Sequence, residues 1–329
     1  MKIQSVILSL FLVCHGQMSY ADALSRTRNG TVKTISDSSG FFQKITPEML
    51  YGYTDFNFSS SATGGNFNKY NGHSNLYSAG ADHINLSPSI MAGLYYFRID
   101  TVVNSKFKLS PSPVTTSDQT IKNNTIFGHV LKIFTPQIYA DVAGGYGYNQ
   151  LTTITQIDPS ISPPNIAQAR NNSDNWFVSF NGIYRKSWQK FLLRMNLGVL
   201  YSQVDTGHYN YVFPATSQVT PVASLVNKAT LLLENAELGY LIQPKLMAFI
   251  NGGLIQVVQF SNSRPILDSA STINGSLPQL NMDKSGFRLG GGVSYTYKNV
   301  TVRVEEKYYN AGSTFQSYQT LAALEYQFS

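Results

Sequence analysis

The last twelve residues of the chain alternate between two kinds of side chain. In "YQTLAALEYQFS" (318–329), every second residue from Tyr318 to Phe328 is apolar or aromatic apart from one threonine, and aromatic rings stand at both tips. Successive side chains of a β-strand point to opposite faces, so one face of this strand suits an apolar environment that is wet at both edges. Tilted by roughly 40–45°, such a strand rises about 25 Å, the height of the lipid-facing band of an outer-membrane barrel. A strand of a soluble sandwich can show the same alternation, so the rest of the chain must decide.

The same two-faced pattern recurs in earlier segments. In 176–185, 191–202 and 286–297, a mainly apolar face with aromatic ends opposes a face richer in polar residues and glycine. The faces of 89–103, 228–241 and 245–259 are less regular and stay open. In 299–309, Glu306 falls on the apolar face near the loop end, where a charge costs little, unless a bulge turns it inward.

Short turn sequences recur roughly every 50 residues, and each separates two strand-like runs. Longer stretches rich in Ser, Asn, Thr, Gly and Pro separate one pair of runs from the next, which predicts five long loops and a shorter sixth. The predicted long loops are 59–75, 104–123, 154–175, 205–227 and 260–284, and the shorter one is 310–317. The predicted strands are 49–58, 76–84, 89–103, 124–133, 138–153, 176–185, 190–204, 228–241, 245–259, 285–297, 299–309 and 318–328. An even strand number with short turns at one end predicts an all-β fold, a transmembrane antiparallel up-and-down β-barrel of about twelve strands.

The N-terminus reads as a secretory signal peptide. A basic start precedes an apolar run over 3–13, and small residues lead to a cleavage site between Ala21 and Asp22. The predicted organisation is a signal peptide at 1–21, a short polar segment at 22–48, and an outer-membrane barrel at 49–329.

Composition agrees with export and with a lipid-facing surface. Only 13% of the residues are charged, about half the share usual in soluble domains, and the one cysteine, Cys14, lies in the signal peptide. No apolar stretch reaches the ~18 residues that a spanning helix needs. The formal charge of +6 is scattered, so the sequence does not indicate nucleic acid as a partner.

Two segments resemble the β-domains of bacterial autotransporters. "YSAGADHINLSPSIMAGLYYF" (77–97) is similar to their early hairpin, and "KSGFRLGGGVSYTYKNVTVRVEEKYYNAGSTFQSYQTLAALEYQF" (284–328) to their last three strands. The resemblance covers about 48–328 and implies a twelve-stranded barrel that the outer-membrane barrel-assembly machinery inserts. It also implies that the aromatic closing strand is the assembly signal, through Tyr318, Leu324, Tyr326 and Phe328.

The chain departs from that family at both ends. Ser329 follows Phe328, so the aromatic residue is penultimate. No large passenger is expected, because 22–48 is short and polar and lacks a β-solenoid repeat. That segment lines or plugs the lumen, or lies in the periplasm.

The sequence offers no catalytic, metal or cofactor site. An outer-membrane phospholipase needs His and Ser two residues apart on one strand face, whereas His73 and Ser74 are adjacent. The histidines are better interpreted as loop and interface residues; they are His15, His73, His83, His129 and His208. No His, Cys, Asp or Glu cluster has metal spacing, so neither an enzyme nor a cofactor is predicted.

Charged residues of both signs are predicted to face the lumen. They are Asp82, Asp141, Arg185, Arg194, Glu237, Arg288, Arg303, Glu305 and Lys307. The favoured interpretation is that they pair across a lumen wide enough for water and stiffen the barrel. The alternative is that they tune a narrow, weakly selective pore.

These patterns predict a Gram-negative outer-membrane protein in contact with lipid. The first functional hypothesis is a structural or adhesin-like surface protein whose loops contact a host-cell surface. The second is a passive porin-like channel for small solutes, and an outer-membrane enzyme is the least supported.

Overall fold

The computed structural model describes residues 45–61, 67–108, 113–157, 165–262, 285–312 and 315–328. Within these ranges the regular structure is entirely β, and no helix there is long and apolar enough to cross a membrane. The strands are β1 (Thr46–Ser61), β2 (Phe67–Ser87), β3 (Ile90–Lys108), β4 (Thr115–Ile133), β5 (Ile138–Ile157), β6 (Asn165–Trp188), β7 (Phe191–Thr206), β8 (Tyr209–Phe213), β9 (Gln218–Val222), β10 (Leu225–Gln243), β11 (Leu246–Asn262), β12 (Gly286–Tyr297), β13 (Val300–Asn310) and β14 (Phe315–Tyr326).

All of these strands except β8 and β9 form one closed antiparallel barrel. Each barrel strand pairs with its neighbours along the chain, with β7 pairing directly with β10. The barrel closes where β1 pairs with β14, from Glu48 opposite Glu325 to Phe58 opposite Phe315. The predicted twelve-stranded up-and-down barrel is therefore confirmed.

Most barrel strands are longer at their outer ends than the sequence predicts. β2 begins at Phe67 and β6 at Asn165, within stretches predicted to be loops over 59–75 and 154–175. The loop prediction is wrong there for two reasons. Strand pairing satisfies the hydrogen bonds of the backbone N–H and C=O groups regardless of the side chains. Ser, Asn and Thr are also tolerated in a strand where one face of the sheet is in contact with water. β1 begins at Thr46, three residues before the predicted start of the barrel.

The short turns lie where the sequence predicts, at 88–89, 134–137, 189–190, 244–245 and 298–299. Gln189 and Lys298 open two of them with positive φ, 51° and 54°. Two-residue hairpins favour positive φ because the turn must match the right-handed twist of its strands. The first barrel residue, Thr46, lies at this same end, which the outer-membrane pattern assigns to the periplasm.

An apolar belt surrounds the barrel next to the short turns. Its side chains point outward and are exposed, as Leu197 shows at 57%. Trp176 packs on Tyr201 at the outer edge of the belt, and Trp188 stacks on Phe191 at the edge near the turns. The residues between the two tryptophans span about 40 Å of strand, which a tilt of roughly 40–45° reduces to about 29 Å. The exterior therefore has the apolar band and the two aromatic girdles of a membrane barrel.

The predicted faces of four strands agree with the observed burial. In 176–185, 191–202, 286–297 and 318–328, the apolar face points outward and the opposite face inward. Glu306 also points outward and accepts a hydrogen bond from Thr320 Oγ1 at 2.6 Å, so no bulge turns it inward.

Above the outer girdle the strands continue as a second section, here called the extension. The inward residues of the extension are mostly apolar or neutral, and its charged residues point outward. It consists of the described residues within 55–61, 67–75, 98–108, 115–124, 150–157, 165–175 and 203–228.

The hairpin β8–β9 belongs to the extension. Thr206 pairs with Leu225 and, three residues on, Tyr209 pairs with Val222, so β8 and β9 keep the register of β7 and β10. β8 also pairs with the outer end of β6 through Ala169. The β7–β10 pair and the β8–β9 pair therefore form one long hairpin. The sequence prediction of a loop over 205–227 is wrong there.

Candidate functional site in the barrel interior

The interior of the membrane section carries a ring of buried polar side chains, here called the lower ring. Strand alternation brings them to one level from nearly every barrel strand. The lower ring consists of Glu48, Asp82, His129, Asp141, Asn181, Asn196, Asn235, Glu237, Asn251, Arg303, Glu305 and Glu325, all buried.

His129 on β4 joins two carboxylates, one from the neighbouring strand β5 and one from β2, which lies beyond β3. Its Nδ1 lies 2.7 Å from Asp141 Oδ1 on β5, and its Nε2 lies 3.1 Å from Asp82 Oδ1 on β2. A β-bulge at the end of β2 sets the position of Asp82, because His83 takes a φ of 58° and donates its backbone N–H to Asp82 Oδ1 at 2.6 Å. Gly93 on the intervening strand leaves the space that the His129 ring occupies.

The interpretation of His129 as a loop or interface residue is wrong. His129 lies on β4 in the barrel interior, with 4% of its side chain exposed. Alternation could have identified it, because Phe127 and Leu131 flank it at two-residue spacing on the same inward face. His83 also lies at the strand bulge rather than in a loop.

Arg303 is the centre of the second part of the lower ring. Its Nη2 donates to Glu237 Oε2 at 2.5 Å, and its guanidinium lies 3.5 Å from the centre of the Phe249 ring. Glu305 accepts a hydrogen bond from Asn251 Nδ2 at 2.6 Å and lies 3.8 Å from Lys307 Nζ. Charges of opposite sign therefore pair within the interior.

All nine charges predicted to face the lumen lie on inward faces or at the periplasmic ends of those faces. Arg185 and Arg194 are half-buried, and the other seven are buried. Asp82 meets Asp141 through His129, and Glu237 meets Glu305 through Arg303.

A ladder of three asparagines crosses β4, β5 and β6 above the lower ring. Asn123 Nδ2 donates to Asn149 Oδ1 at 2.8 Å and to Asn175 Oδ1 at 3.0 Å. Asn149 Nδ2 donates to Ser173 Oγ at 3.0 Å, and Thr125 Oγ1 donates to Asn123 Oδ1. The three amides thus pair with one another and with the hydroxyls of Thr125 and Ser173.

Apolar inward side chains form a continuous cluster at and above the outer girdle, here called the collar. Phe127 and Phe177 meet across β5, where Gly145 leaves room for both rings. The collar extends around the barrel and includes Phe56, Phe58, Tyr70, Leu76, Tyr95, Phe97, Ile99, Val103, Ile121, Phe127, Leu151, Phe177, Leu200, Val204, Leu231, Leu233, Ile255, Tyr309 and Phe315. The collar is not evident from sequence alternation, because each inward aromatic residue stands alone on a mostly polar face and meets the others only in the closed barrel.

The four residues of the predicted assembly signal all point outward on β14 and just after it. Tyr318 packs on Tyr308 at the outer girdle with a ring distance of 4.8 Å, while Tyr326 meets Phe328 edge-on at 5.0 Å near the turns. Leu324 lies between them in the belt, 44% exposed. The predicted cleavage site at Ala21 and Asp22 lies outside the described residues.

The described residues contain no group of three or more His, Cys, Asp or Glu side chains placed to hold a metal ion.

Neither a protein-family model nor a curated protein sequence matches the chain. Three solved structures have a similar fold. The translocator domain of autotransporter NalP from Neisseria meningitidis matches with a TM-score of 0.66 at 12% identity, over 99% of both chains. The β-domain of the Bordetella autotransporter BrkA matches with a TM-score of 0.58 at 13% identity, over 86% of this chain and 99% of that chain. The transport unit of autotransporter AIDA-I from Escherichia coli matches with a TM-score of 0.55 at 11% identity, over 95% of this chain and 99% of that chain. The chain has the outer-membrane barrel fold of autotransporter translocator domains.

Proposed function

We propose that the protein is an outer-membrane barrel that presents its extension at the cell surface in a structural or adhesin-like role. The observation that carries this proposal is the length of the paired strands beyond the outer girdle. β6 continues from Trp176 outward to Asn165, and the β8–β9 hairpin pairs with it there. A barrel that only crossed the membrane would not need a wall that continues so far past the aromatic residues.

The outer surface of the extension supports a position in water. Asp118 and Lys122 point outward from β4, and Arg98 pairs with Asp100 at 3.0 Å on β3. The hairpin adds exposed apolar positions, since Val212 and Val219 are 42% and 54% exposed and lie opposite each other. A polar wall with a small apolar patch is the kind of surface that contacts other molecules.

A passive channel is the weaker proposal. A water-filled pore needs a hydrated path, whereas the collar lines the interior with aromatic and aliphatic side chains at and above the outer girdle. An apolar constriction favours dewetting and opposes ion flow.

We also propose that the barrel is not an enzyme. A histidine that activates a nucleophile needs one ring nitrogen free to take the proton of that group. In His129 both nitrogens contact carboxylates, of Asp82 and Asp141. This arrangement suits a structural link between three strands.

The partners follow from the same surfaces. The apolar belt is in contact with outer-membrane lipid. Two further partners are proposed: the barrel-assembly machinery, which would recognise the closing strand, and a host-cell surface. Export through the signal peptide is proposed as well.

The test removes the hairpin while keeping the barrel. Because Thr206 and Leu225 are directly paired, replacing 207–224 by Asn-Gly closes β7 onto β10 with a two-residue turn. Bacteria displaying the intact chain should bind host cells, and those displaying the shortened chain should bind several-fold less at equal surface amounts. Single-channel recordings of refolded protein in planar bilayers should show no stable conductance. Stable conductance together with unchanged cell binding would favour the channel.

A further inference from the structure

The short turns at the periplasmic end repeat one backbone geometry around the rim of the barrel. The last residue of each turn accepts a backbone hydrogen bond from the next strand of the barrel, or from the residue that follows that strand, at 2.8 Å in every case. The accepting residues are, in chain order, Ser89, Gln137, Lys190, Lys245 and Asn299. The backbone of the rim is therefore regular, and its side chains make one hairpin differ from the next.

Exposed lysines occupy one side of this rim. Three consecutive hairpins of the barrel, β6–β7, β10–β11 and β12–β13, carry four exposed lysines, here called the basic arc: Lys186, Lys190, Lys245 and Lys298. On the other two hairpins, the cation nearest the turns is Lys132, which is half-buried and donates from Nζ to Ser89 Oγ at 2.7 Å. The exposed basic charge of the described turns thus lies on one side.

The lysines of the basic arc form no ion pair within the described part of the chain. The Asp and Glu side chains nearest the turns point inward and are buried; they are Glu48, Asp82, Asp141 and Glu325. Instead, the Nζ atoms of Lys245 and Lys298, from two neighbouring hairpins, both lie within 5.5 Å of the centre of the Tyr297 ring. Because like charges repel, an anion bound beside these two ammonium groups would stabilise their arrangement.

The basic arc lies at the level expected for lipid headgroups. Tyr297 points outward at the periplasmic end of the apolar belt and is 51% exposed, and Lys245 and Lys298 lie over its ring. Trp188 stacks on Phe191 on the same side, with ring centres 5.7 Å apart. Tyr and Trp favour the layer between acyl chains and headgroups, so ammonium groups next to them are placed beside lipid phosphates.

We propose that the basic arc binds the phosphate headgroups of anionic phospholipids in the periplasmic leaflet of the outer membrane. An ammonium group attracts a phosphodiester as a point charge, and each basic residue near a membrane surface adds to the binding of anionic lipid. A zwitterionic headgroup carries its own cation beside the phosphate, so it gains less from the basic arc. A free phosphate has no acyl chains to contact the apolar belt, which favours the lipid as the source of the anion. This site is independent of the proposed surface role of the extension, at the opposite end of the barrel.

The experiment measures which lipid lies next to the basic arc. The predicted mature chain, 22–329, carries Trp176→Phe and Trp188→Phe, which remove both native tryptophans. One reporter then adds Tyr297→Trp, and the other adds Phe134→Trp at the β4–β5 turn, where Phe134 is 63% exposed. Each protein is refolded into phosphatidylcholine vesicles that contain brominated phosphatidylglycerol or brominated phosphatidylcholine, because bromine quenches a tryptophan that it contacts. The preference for phosphatidylglycerol should be about threefold stronger at Tyr297→Trp than at Phe134→Trp, and it should fall as salt is added.

Two pairs of lysine substitutions test whether the basic arc causes this preference. Lys245→Gln with Lys298→Gln should abolish the preference at Tyr297→Trp. The matched control is Lys122→Gln with Lys228→Gln, since both of these lysines are exposed on the extension, away from lipid, and it should change nothing. Substitutions at such exposed positions have small effects on stability, and a heat-modifiable gel shift checks that each variant is folded.

A second reporter covers the case in which Tyr297→Trp does not fold. Native Trp188, alone in the Trp176→Phe chain, lies between two lysines of the basic arc in sequence. It should show the same preference for phosphatidylglycerol, and Lys186→Gln with Lys190→Gln should reduce it.

Three outcomes would overturn the proposal: equal quenching by the two lipids at the arc, equal preference at Tyr297→Trp and Phe134→Trp, or a preference that survives Lys245→Gln with Lys298→Gln. Loss of the preference on adding inorganic phosphate at constant ionic strength would also overturn it, because the basic arc would then bind a free anion and not a lipid.

Discussion

Within β4, the membrane section and the extension place opposite kinds of side chain on the same face. In the membrane section Ile126 and Val130 point outward while His129 points inward. In the extension Asp118 points outward while Ile121 points inward. Even-numbered residues face out along the whole strand, so the backbone alternation does not change between the two sections.

The difference shows that the surrounding solvent, and not the strand, selects the residues. Lipid outside the membrane section favours apolar side chains there, which leaves the polar ones inside to pair with each other. Water outside the extension reverses that choice, and the collar then resembles the core of a soluble β-protein. The two sections are held together by different interactions, and substitutions of the same kind should therefore have unequal effects in them.

The largest effect is expected from removing a charge inside the membrane section. Arg303→Met leaves Glu237 and Glu305 buried without their guanidinium and should cost about 3–5 kcal/mol of unfolding free energy. Reversible urea unfolding from lipid vesicles measures this cost. Lys122→Met, on the outward face of the extension, should change stability by less than about 0.5 kcal/mol.

A second substitution separates this loss of charge from a loss of packing. Adding Glu237→Gln to Arg303→Met should recover part of the stability, because one unpaired carboxylate is then gone. No recovery would mean that the contact of Arg303 with Phe249 dominates instead.

The next effect tests the outward face in the two sections. Leu197→Arg puts a charge in the apolar belt and should cost about 2–4 kcal/mol. Ile154→Arg makes a similar change on the extension, opposite Asp118, and should be close to neutral. Similar costs for both variants in vesicle unfolding would show that the extension does not stand in water.

A smaller effect is expected from the asparagine ladder. Asn149→Leu deprives Asn123 Nδ2 and Ser173 Oγ of a partner and should cost about 1–3 kcal/mol. Asn196→Leu, which removes a side chain whose Oδ1 has no partner among the described residues, should cost less. Equilibrium unfolding of the two variants side by side gives the comparison, and equal values would contradict the role assigned to the ladder.

The smallest effect on the folded barrel is expected at Phe328. Phe328 follows the last paired strand and is 50% exposed, so Phe328→Ala should lower stability less than Tyr318→Ala, which loses the contact with Tyr308. In cells the order should reverse, because the resemblance to autotransporter β-domains implies that Phe328 belongs to the assembly signal. Glu325→Gln should leave assembly nearly intact. Quantifying heat-modifiable barrel in outer membranes tests this, and equal amounts for Phe328→Ala and Tyr318→Ala would remove the signal role.

The sequence predicts the membrane section well because lipid imposes a strict pattern on it. Alternation with aromatic ends locates strands such as 191–202 and assigns both of their faces. The extension is harder, since a strand with Asn, Ser and Thr on the water side has the composition of a loop. The β8–β9 hairpin illustrates this: "YNYVF" and "QVTPV" are short, and their strand character depends on pairing with each other and with β6.

The interior site is only partly readable from the sequence. The alternation of side chains along each strand predicts that Asp82, Asp141 and Arg303 face inward. It does not predict which charged side chains contact one another. His129 contacts Asp82, 47 residues away in the chain, and Arg303 contacts Glu237, 66 residues away. Such pairs depend on strand order and on barrel curvature, and neither can be inferred from the local sequence.

The pairing of β1 with β14 has a consequence for the order of folding. Gln319 Nε2 donates to Thr54 Oγ1 across a separation of 265 residues, so the seam joins the first strand to the last. Each doubling of a closed loop costs about 0.6 kcal/mol, so the seam is roughly 4 kcal/mol harder to nucleate than a tight hairpin. A sheet of these strands without the seam has two unpaired edges, and unpaired strand edges are sites of aggregation. The closed state therefore becomes accessible only after the final strand is present, and until then both sheet edges are open to pairing with other chains.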